Sequence, residues 1–294
     1  MSISRIVIYC RQSACQRASI LLLSAGFLGI GATSAFSSDK EFLFMEAIES
    51  KNAPASLESY GLRHLYVVNP RKDLSFEGDD MANMVVRKSV EQVARQVRQA
   101  EMVCIDIESW PTCNVCNKRT RSLDRYIQVI DWFREVNPVP KLGYFGRPPK
   151  HEYFHAIVPI NSHKYLDWQK HNVFYKPLGE KVDVIFPSLY ARYDDVDGWV
   201  KHAVANLEEA RRYGKPVYAF ITPYFIESDK PYRKQPLDPA FWQIQLETAY
   251  EYADGLIIWT GPLKVWNEQD SWWKLTKDFL ASKEAVRPHG AGLE

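Results

Sequence analysis

The 294-residue sequence lacks a charge excess of either sign, because 37 Lys and Arg residues stand against 36 Asp and Glu residues. Nucleic-acid-binding proteins usually carry a basic excess, so we predict no nucleic-acid partner. The sequence also lacks a glycine-rich dinucleotide fingerprint after its first strand-like segment, which disfavours a nucleotide-binding fold, and we predict no cofactor. Hydrophobic residues at 46% and charged residues at 25% exclude global disorder.

Long apolar runs are scarce as well. The run at residues 20–30 (ILLLSAGFLGI) is shorter than the roughly 20 apolar residues that a membrane-spanning helix needs. Arg5, Arg11 and Arg17 precede it without an acidic residue, and small residues lead to Ala35. This order is typical of a secretory signal peptide. We predict a cleaved leader over residues 1–35, export to the periplasm or the exterior, and no stable membrane span; an uncleaved N-terminal anchor is the alternative.

Cysteine is the third residue type in short supply. Removal of the leader leaves Cys104, Cys113 and Cys116, and an odd number in an exported protein leaves at least one thiol unpaired or paired with another molecule. Cys113 and Cys116 have CxxC spacing but lack the second CxxC of a zinc site. A loop disulfide or free thiols are therefore favoured.

Strand-like and helix-like segments alternate along the rest of the sequence. The short, apolar, strand-like segments lie at residues 64–68, 102–107, 141–145, 182–190, 216–222 and 255–260. Helix-like segments lie at residues 81–100, 123–136, 164–171, 196–213, 239–253 and 270–282. Strands this apolar are buried on both faces, which indicates a parallel sheet.

This alternation predicts an α/β fold, a single TIM-like (β/α) barrel with six to eight parallel strands. The barrel would span residues 36–283 and precede a flexible tail at 284–294. Without the leader, about 260 residues remain, close to the ~250 typical of such barrels. An open, doubly wound sheet is the alternative.

Two carboxylates, Asp106 and Glu108, lie at the carboxyl end of the strand-like segment at 102–107. Residues two apart on a strand share a face, and the carboxyl ends of barrel strands form the floor of the active site. Two acids crowded there raise each other's pKa, so that one can stay protonated at neutral pH. General acid catalysis of glycosidic bond cleavage needs such a group. A metal site, a helix cap and a solvated strand end are the alternatives.

Aromatic residues lie at the ends of four of the other five predicted strands. They are Tyr144, Phe145, Tyr190, Tyr224, Phe225 and Trp259. Aromatic rings have large apolar faces, and tyrosine adds a polar hydroxyl group. Each ring alone is more typical of a core, but four strand ends with the same feature indicate a cleft that binds sugars.

At these residues the sequence resembles the animal and venom hyaluronidases, glycoside hydrolases with a distorted (β/α) barrel. Their D-W-E-x-W-R-P phrase corresponds to DIESWP at 106–111, their G-F/Y-Y-G/A-x-P phrase to GYFGRP at 143–148, and their Y-P-S-I-Y phrase to FPSLY at 186–190. A strand that starts with Pro-Val and ends in aromatic residues corresponds to 216–225, and G-V-V-L-W corresponds to GLIIW at 255–259. The five phrases occur in the same order.

The resemblance implies a substrate-assisted glycosidase that cleaves glycans containing 2-acetamido sugars. Glu108 is then the acid/base that protonates the leaving oxygen. Asp106 orients the substrate's acetamido group, whose carbonyl oxygen attacks the anomeric carbon. Tyr190 and Tyr224 assist in holding that group, and Trp259 forms the wall of its pocket.

We also predict that Tyr144 contacts the substrate. The sequence departs from the family pattern at Phe186, which replaces a tyrosine, and before Pro111, where an arginine is missing. The four-cysteine framework of the family is absent as well. Hyaluronan specificity is therefore not implied, and a glycan-binding barrel without catalytic activity is an alternative function.

A rival motif lies in HEYFH at residues 151–155, which matches the HExxH signature of zinc proteases. On one helix, His151 and His155 would bind the metal and Glu152 would activate water. Pro149 and Pro159 leave little room for the long helix that this site requires. We predict no metal, and a zinc hydrolase is the other alternative function.

Overall fold

Parallel β-strands alternate with α-helices in the computed structural model, which describes residues 41–110, 118–226 and 234–284. The strands are β1 Leu43–Ile48, β2 Arg63–His64, β3 Tyr66–Val68, β4 Met102–Ile105, β5 Lys141–Tyr144, β6 Tyr218–Ile221 and β7 Gly255–Thr260. The helices are α1 Pro70–Asp73, α2 Arg87–Gln96, α3 Lys118–Val136, α4 Phe154–Ile157, α5 His163–Phe174, α6 Lys176–Lys181, α7 Val196–Arg211, α8 Pro239–Tyr252 and α9 Ser271–Glu284. The predicted leader, Cys113, Cys116 and residues 285–294 lie outside the described residues.

The strands close into a ring. β1 pairs with β7 on one side and with β2 on the other, and β2 continues into β3 through Leu65, whose N–H donates to the Glu46 carbonyl. β3, β4 and β5 pair in turn. Residues 183–189 then join β5 to β6, with parallel bridges from Phe186 to Phe145 and from Ile185 to Val217. β6 returns to β7. The predicted (β/α) barrel is confirmed, with seven strand positions in the described part of the chain.

Side-chain alternation along each strand separates two cores. Met45, Cys104, Phe186, Phe220 and Ile257 point into the barrel with other residues of the same parity. The intervening residues point outward and pack against the helices. Gly143 faces the interior at a point where a Cβ atom would lie 2.5 Å from the carbonyl oxygen of Val184, so the close approach of β5 to residues 183–189 requires glycine here.

Local signals in the sequence fix where several helices begin. Asp195 caps α7 by accepting a hydrogen bond from the N–H of Gly198, and Asp238 caps α8 by accepting one from Ala240. Pro239 occupies the first turn of α8, where its missing N–H costs nothing. α2 is shorter than the helix predicted at 81–100, because residues 75–86 form a small antiparallel turn before it. None of the described helices is long and apolar enough to cross a membrane.

Candidate active site

A cavity of about 400 Å³ opens at the carboxyl ends of the barrel strands. Its lining combines two carboxylates, three basic side chains, a histidine and several rings. These residues include Asp106, Glu108, Phe145, Arg147, Lys150, His151, Tyr190, Arg192, Phe220 and Trp259. The structure therefore brings together four of the six predicted site residues: Asp106, Glu108, Tyr190 and Trp259.

The turn after β4 presents both carboxylates to this cavity. Asp106 follows Met102 and Cys104 at every second position of the chain, so its side chain points into the barrel as theirs do. Its N–H donates to the Val68 carbonyl over 3.1 Å. The Ile107 side chain is buried in the outer core. The Ile107 carbonyl oxygen accepts hydrogen bonds from the Tyr126 hydroxyl at 3.1 Å and from Arg147 Nη1 at 3.3 Å. These contacts fix the backbone between the two acids.

Asp106 is the more buried of the two acids, and Glu108 is exposed toward the cavity mouth. Burial raises the pKa of Asp106 from 3.8 to about 7, the negative charge of Glu108 adds to the rise, and Arg147 opposes it. Asp106 Oδ1 is buried and has no hydrogen-bond partner. The retained proton was predicted on Glu108, whereas the structure raises the pKa of Asp106. A further acid, Glu49, contributes to that rise and was not predicted.

Aromatic rings form the wall beside the carboxylates. Tyr190 stacks on Trp259 with ring centroids 5.4 Å apart and planes 23° apart, and it contacts Phe145 at 5.5 Å. Burial raises the pKa of Tyr190 well above its usual value, and the charge of Asp106 adds to this effect. The Tyr190 hydroxyl is therefore neutral at physiological pH and able to donate a hydrogen bond.

Two predicted substrate contacts lie elsewhere. The side chain of Tyr144, like that of Leu142 two residues earlier, points out of the barrel into the outer core. There its hydroxyl donates to the Tyr126 carbonyl over 2.9 Å. Phe145, the next residue, lines the cavity instead. Tyr224 does not line the cavity, and Lys264 Nζ lies 3.7 Å from the centre of its ring. Tyr144 and Tyr224 are therefore removed from the proposed site.

Basic residues also line the cavity, and they were not predicted from the sequence. Arg147, Lys150 and Arg192 all contribute to the lining. Burial lowers the pKa of His151 well below its usual value, and the charges of His202 and Arg192 reinforce this, so His151 is neutral. Arg147 lies in the GYFGRP phrase at the end of β5, and Arg192 lies two residues after Tyr190. Their closeness to strand ends is the signal that could have found them.

The HEYFH motif does not form the geometry of a zinc protease. His155 lies on the four-residue helix α4, whereas His151 precedes this helix in an irregular segment. The two histidines therefore do not occupy successive turns of one helix, as the signature requires. In residues 41–110, 118–226 and 234–284, no three His, Cys, Asp or Glu side chains cluster in a way that could hold a metal ion.

Solved structures share this architecture. A monoclinic crystal structure of bee venom hyaluronidase aligns with a TM-score of 0.57 and 15% identity, over 83% of this chain and 96% of that one. The same bee enzyme in complex with a hyaluronic acid tetramer aligns with a TM-score of 0.53 and 14% identity, over 82% of this chain and 95% of that one. The chain has a glycoside hydrolase-like barrel fold. At these identities the similarity shows the fold alone. No protein-family model and no curated protein matches the sequence.

Proposed function

We propose that this protein is an exported glycoside hydrolase that cleaves glycans containing 2-acetamido sugars by substrate-assisted acid/base catalysis. The observation that carries the proposal is the Asp106–Glu108 pair, which faces a cavity walled by Tyr190 and Trp259 at the carboxyl end of the barrel. The resemblance of the DIESWP, GYFGRP and FPSLY phrases to the hyaluronidases supports the same reaction.

In the first step, Glu108 transfers its proton to the glycosidic oxygen as the bond to the anomeric carbon breaks. The acetamido carbonyl oxygen of the substrate forms the new bond to that carbon and gives a cyclic, positively charged intermediate. In the second step, Glu108 removes a proton from a water molecule, whose oxygen bonds to the anomeric carbon as the bond from that carbon to the acetamido oxygen breaks. The configuration at the anomeric carbon is retained, and Glu108 regains its proton.

Asp106 is suited to hold the acetamido group. Its buried, unpartnered Oδ1 can accept a hydrogen bond from the acetamido N–H, which supplies the partner that the free enzyme lacks. The carboxylate form of Asp106 stabilises the positive charge on the cyclised group. The Tyr190 hydroxyl and the Trp259 indole then position the methyl and carbonyl ends of the group.

The basic residues that line the cavity favour an acidic substrate. Arg147, Lys150 and Arg192 bring positive charge to the cavity. Carboxylate or sulfate groups on neighbouring sugars would pair with these side chains, since guanidinium groups bind such anions with strong, charge-assisted hydrogen bonds. We therefore expect acidic acetamido-containing polymers to be better substrates than neutral ones.

The decisive experiment measures the products from a panel of N-acetylated oligosaccharides and polymers, neutral and acidic, with the wild type and with Glu108→Gln. The proposal is supported if the wild type turns over a glycan and Glu108→Gln abolishes that turnover. Glycan binding without turnover by either protein would indicate a non-catalytic glycan-binding barrel. Activity that a chelator removes would indicate the zinc hydrolase instead.

A further inference from the structure

Two aromatic rings are exposed beside the cavity, on the two connections that follow β5 and residues 183–190. Phe154 is 54% exposed and Tyr193 is 42% exposed. Their ring centroids lie 5.4 Å apart, and their planes meet at 49°. We call Phe154 and Tyr193 the rim pair. The two rings form an open angle on the edge of the barrel where the carboxyl ends of the strands meet.

The rim pair rests on a fixed base. The buried ring of Tyr153 lies 5.2 Å from Phe154 and 5.1 Å from Tyr193. The Tyr153 hydroxyl donates to Asp195 Oδ2 over 3.3 Å, and Asp195 in turn caps α7. These contacts anchor the exposed rings to the barrel, so little conformational entropy is lost when a ligand covers them.

The rim pair is continuous with the cavity on both connections. Arg192, which lines the cavity, directly precedes Tyr193. His151 also lines the cavity, and its ring lies 5.3 Å from that of His202, which contacts Tyr153 at 5.0 Å. A polymer that leaves the cavity over the His151 and Arg192 side therefore meets the rim pair next.

We propose that the rim pair binds a further pyranose residue of the glycan whose cleaved bond lies in the cavity, and this inference rests on the proposed function. Pyranose rings present apolar C–H faces that stack on exposed aromatic rings, while their hydroxyl groups remain available to polar neighbours. Lys150 and Glu152, paired at 3.6 Å, are polar residues on the same connection as Phe154. The ligand class is a glycan long enough to extend from the cavity to the rim.

The test compares Phe154→Ala and Tyr193→Ala on a long acetamido-containing polymer and on the shortest oligosaccharide that the wild type cleaves. We expect each variant to raise KM for the polymer by roughly 3- to 10-fold, a typical value for one lost aromatic contact. Turnover of the shortest substrate should stay at the wild-type level. Tyr60→Ala is the matched control, because Tyr60 is 37% exposed and packs against another ring, that of Trp273, but does not line the cavity.

Equal losses on long and short substrates, or no loss on either, would overturn the proposal. A change of oligomeric state in Phe154→Ala, measured by sedimentation, would also overturn it and would assign the rim pair to contact between copies of the chain. If the wild type cleaves no glycan, the proposed function fails, and calorimetric titration with the same oligosaccharides decides the inference separately. Affinity that rises with glycan length in the wild type but not in the variants supports it, and any other binding result overturns it.

Discussion

The guanidinium group of Arg147 donates a hydrogen bond over 3.3 Å to the carbonyl oxygen of Ile107, the residue between the two carboxylates. Its positive charge also lowers the pKa of Asp106, against the burial that raises it. Replacement of Arg147 by Met should therefore raise the pKa of Asp106 further above about 7. A carboxyl-carbon NMR titration of Asp106 measures this change. Arg147→Lys keeps the charge and should titrate close to the wild type; an unchanged titration in Arg147→Met would contradict the assignment.

Glu108→Gln keeps the size and the hydrogen-bonding capacity of the side chain but removes the transferable proton. General acid–base catalysis typically contributes ~10²–10⁴ in rate, so we expect a loss of this order in kcat with substrate affinity retained. Steady-state kinetics on the best substrate from the glycan panel measures the loss. Glu208→Gln, on the exposed face of α7, is the control. Activity within about threefold of the wild type would reject Glu108 as the acid.

Asp106→Asn should stabilise the protein at neutral and alkaline pH. Because the pKa of Asp106 is raised from 3.8 to about 7, the folded state binds its proton more tightly than the unfolded state. The carboxyl therefore lowers the free energy of unfolding progressively between about pH 4 and pH 7, by up to about 4 kcal/mol at ~1.36 kcal/mol per pH unit.

Urea denaturation at pH 4 and pH 8 measures this effect. Between pH 4 and pH 8, the free energy of unfolding of the Asn variant should rise by about 2–4 kcal/mol relative to that of the wild type. The variant should also lose turnover, because the amide cannot balance the charge of the cyclised intermediate. Asp124→Asn, on the exposed face of α3, is the control. A gain that does not depend on pH would show that the pKa of Asp106 is not the cause.

Tyr144 and Tyr190 should respond in opposite ways to replacement by Phe. The Tyr144 hydroxyl is buried and bonded to the Tyr126 carbonyl, so Tyr144→Phe should cost about 1 kcal/mol of unfolding free energy and leave turnover unchanged. Tyr190 lines the cavity, so Tyr190→Phe should lower kcat at least about tenfold. Denaturation and kinetics on both variants separate the two roles. Reversed results would return Tyr144 to the site.

His202 should make the protein less stable in acid. Burial lowers its pKa from 6.5 to about 4, so the unfolded state binds the proton more tightly. The stability that His202 contributes is complete above pH 6.5 and is lost as the pH falls toward 4, by up to about 3 kcal/mol. The free energy of unfolding of His202→Gln, followed from pH 7 to pH 4, should fall less steeply than that of the wild type. His163→Gln, at an exposed position on α5, is the control variant.

The sequence predicts the barrel because its strands are apolar on both faces and each is followed by a helix-sized segment. It also predicts the Asp106–Glu108 pair, because two residues of one parity at a strand end must share a face. The choice of Tyr144 over Phe145 fails for the same reason. Gly143 and Phe145 face the interior, so Tyr144 faces outward. Parity applied to β5 would have corrected this choice.

Other features depend on tertiary contacts that no local pattern shows. β1 was not predicted, because residues 43–48 (LFMEAI) include Glu46, which is buried only with partners supplied by His64 and the Ile48 N–H. The basic lining of the cavity combines Arg147 and Arg192, which lie on two connections and are 45 positions apart in the sequence. The raised pKa of Asp106 could not be predicted either, because the burial that causes it depends on the whole barrel.

The pairing of β1 with β7 has a consequence for how the chain reaches its native state. Leu43 pairs with Gly255 and Ile48 with Thr260, so more than 200 residues separate β1 from β7 along the chain. Contacts of such high sequence separation slow folding, because a long loop must be closed before the pairing can form. An incomplete chain that ends before residue 255 leaves one edge of β1 without its partner. Completion of the barrel therefore waits for the last strand to be synthesised.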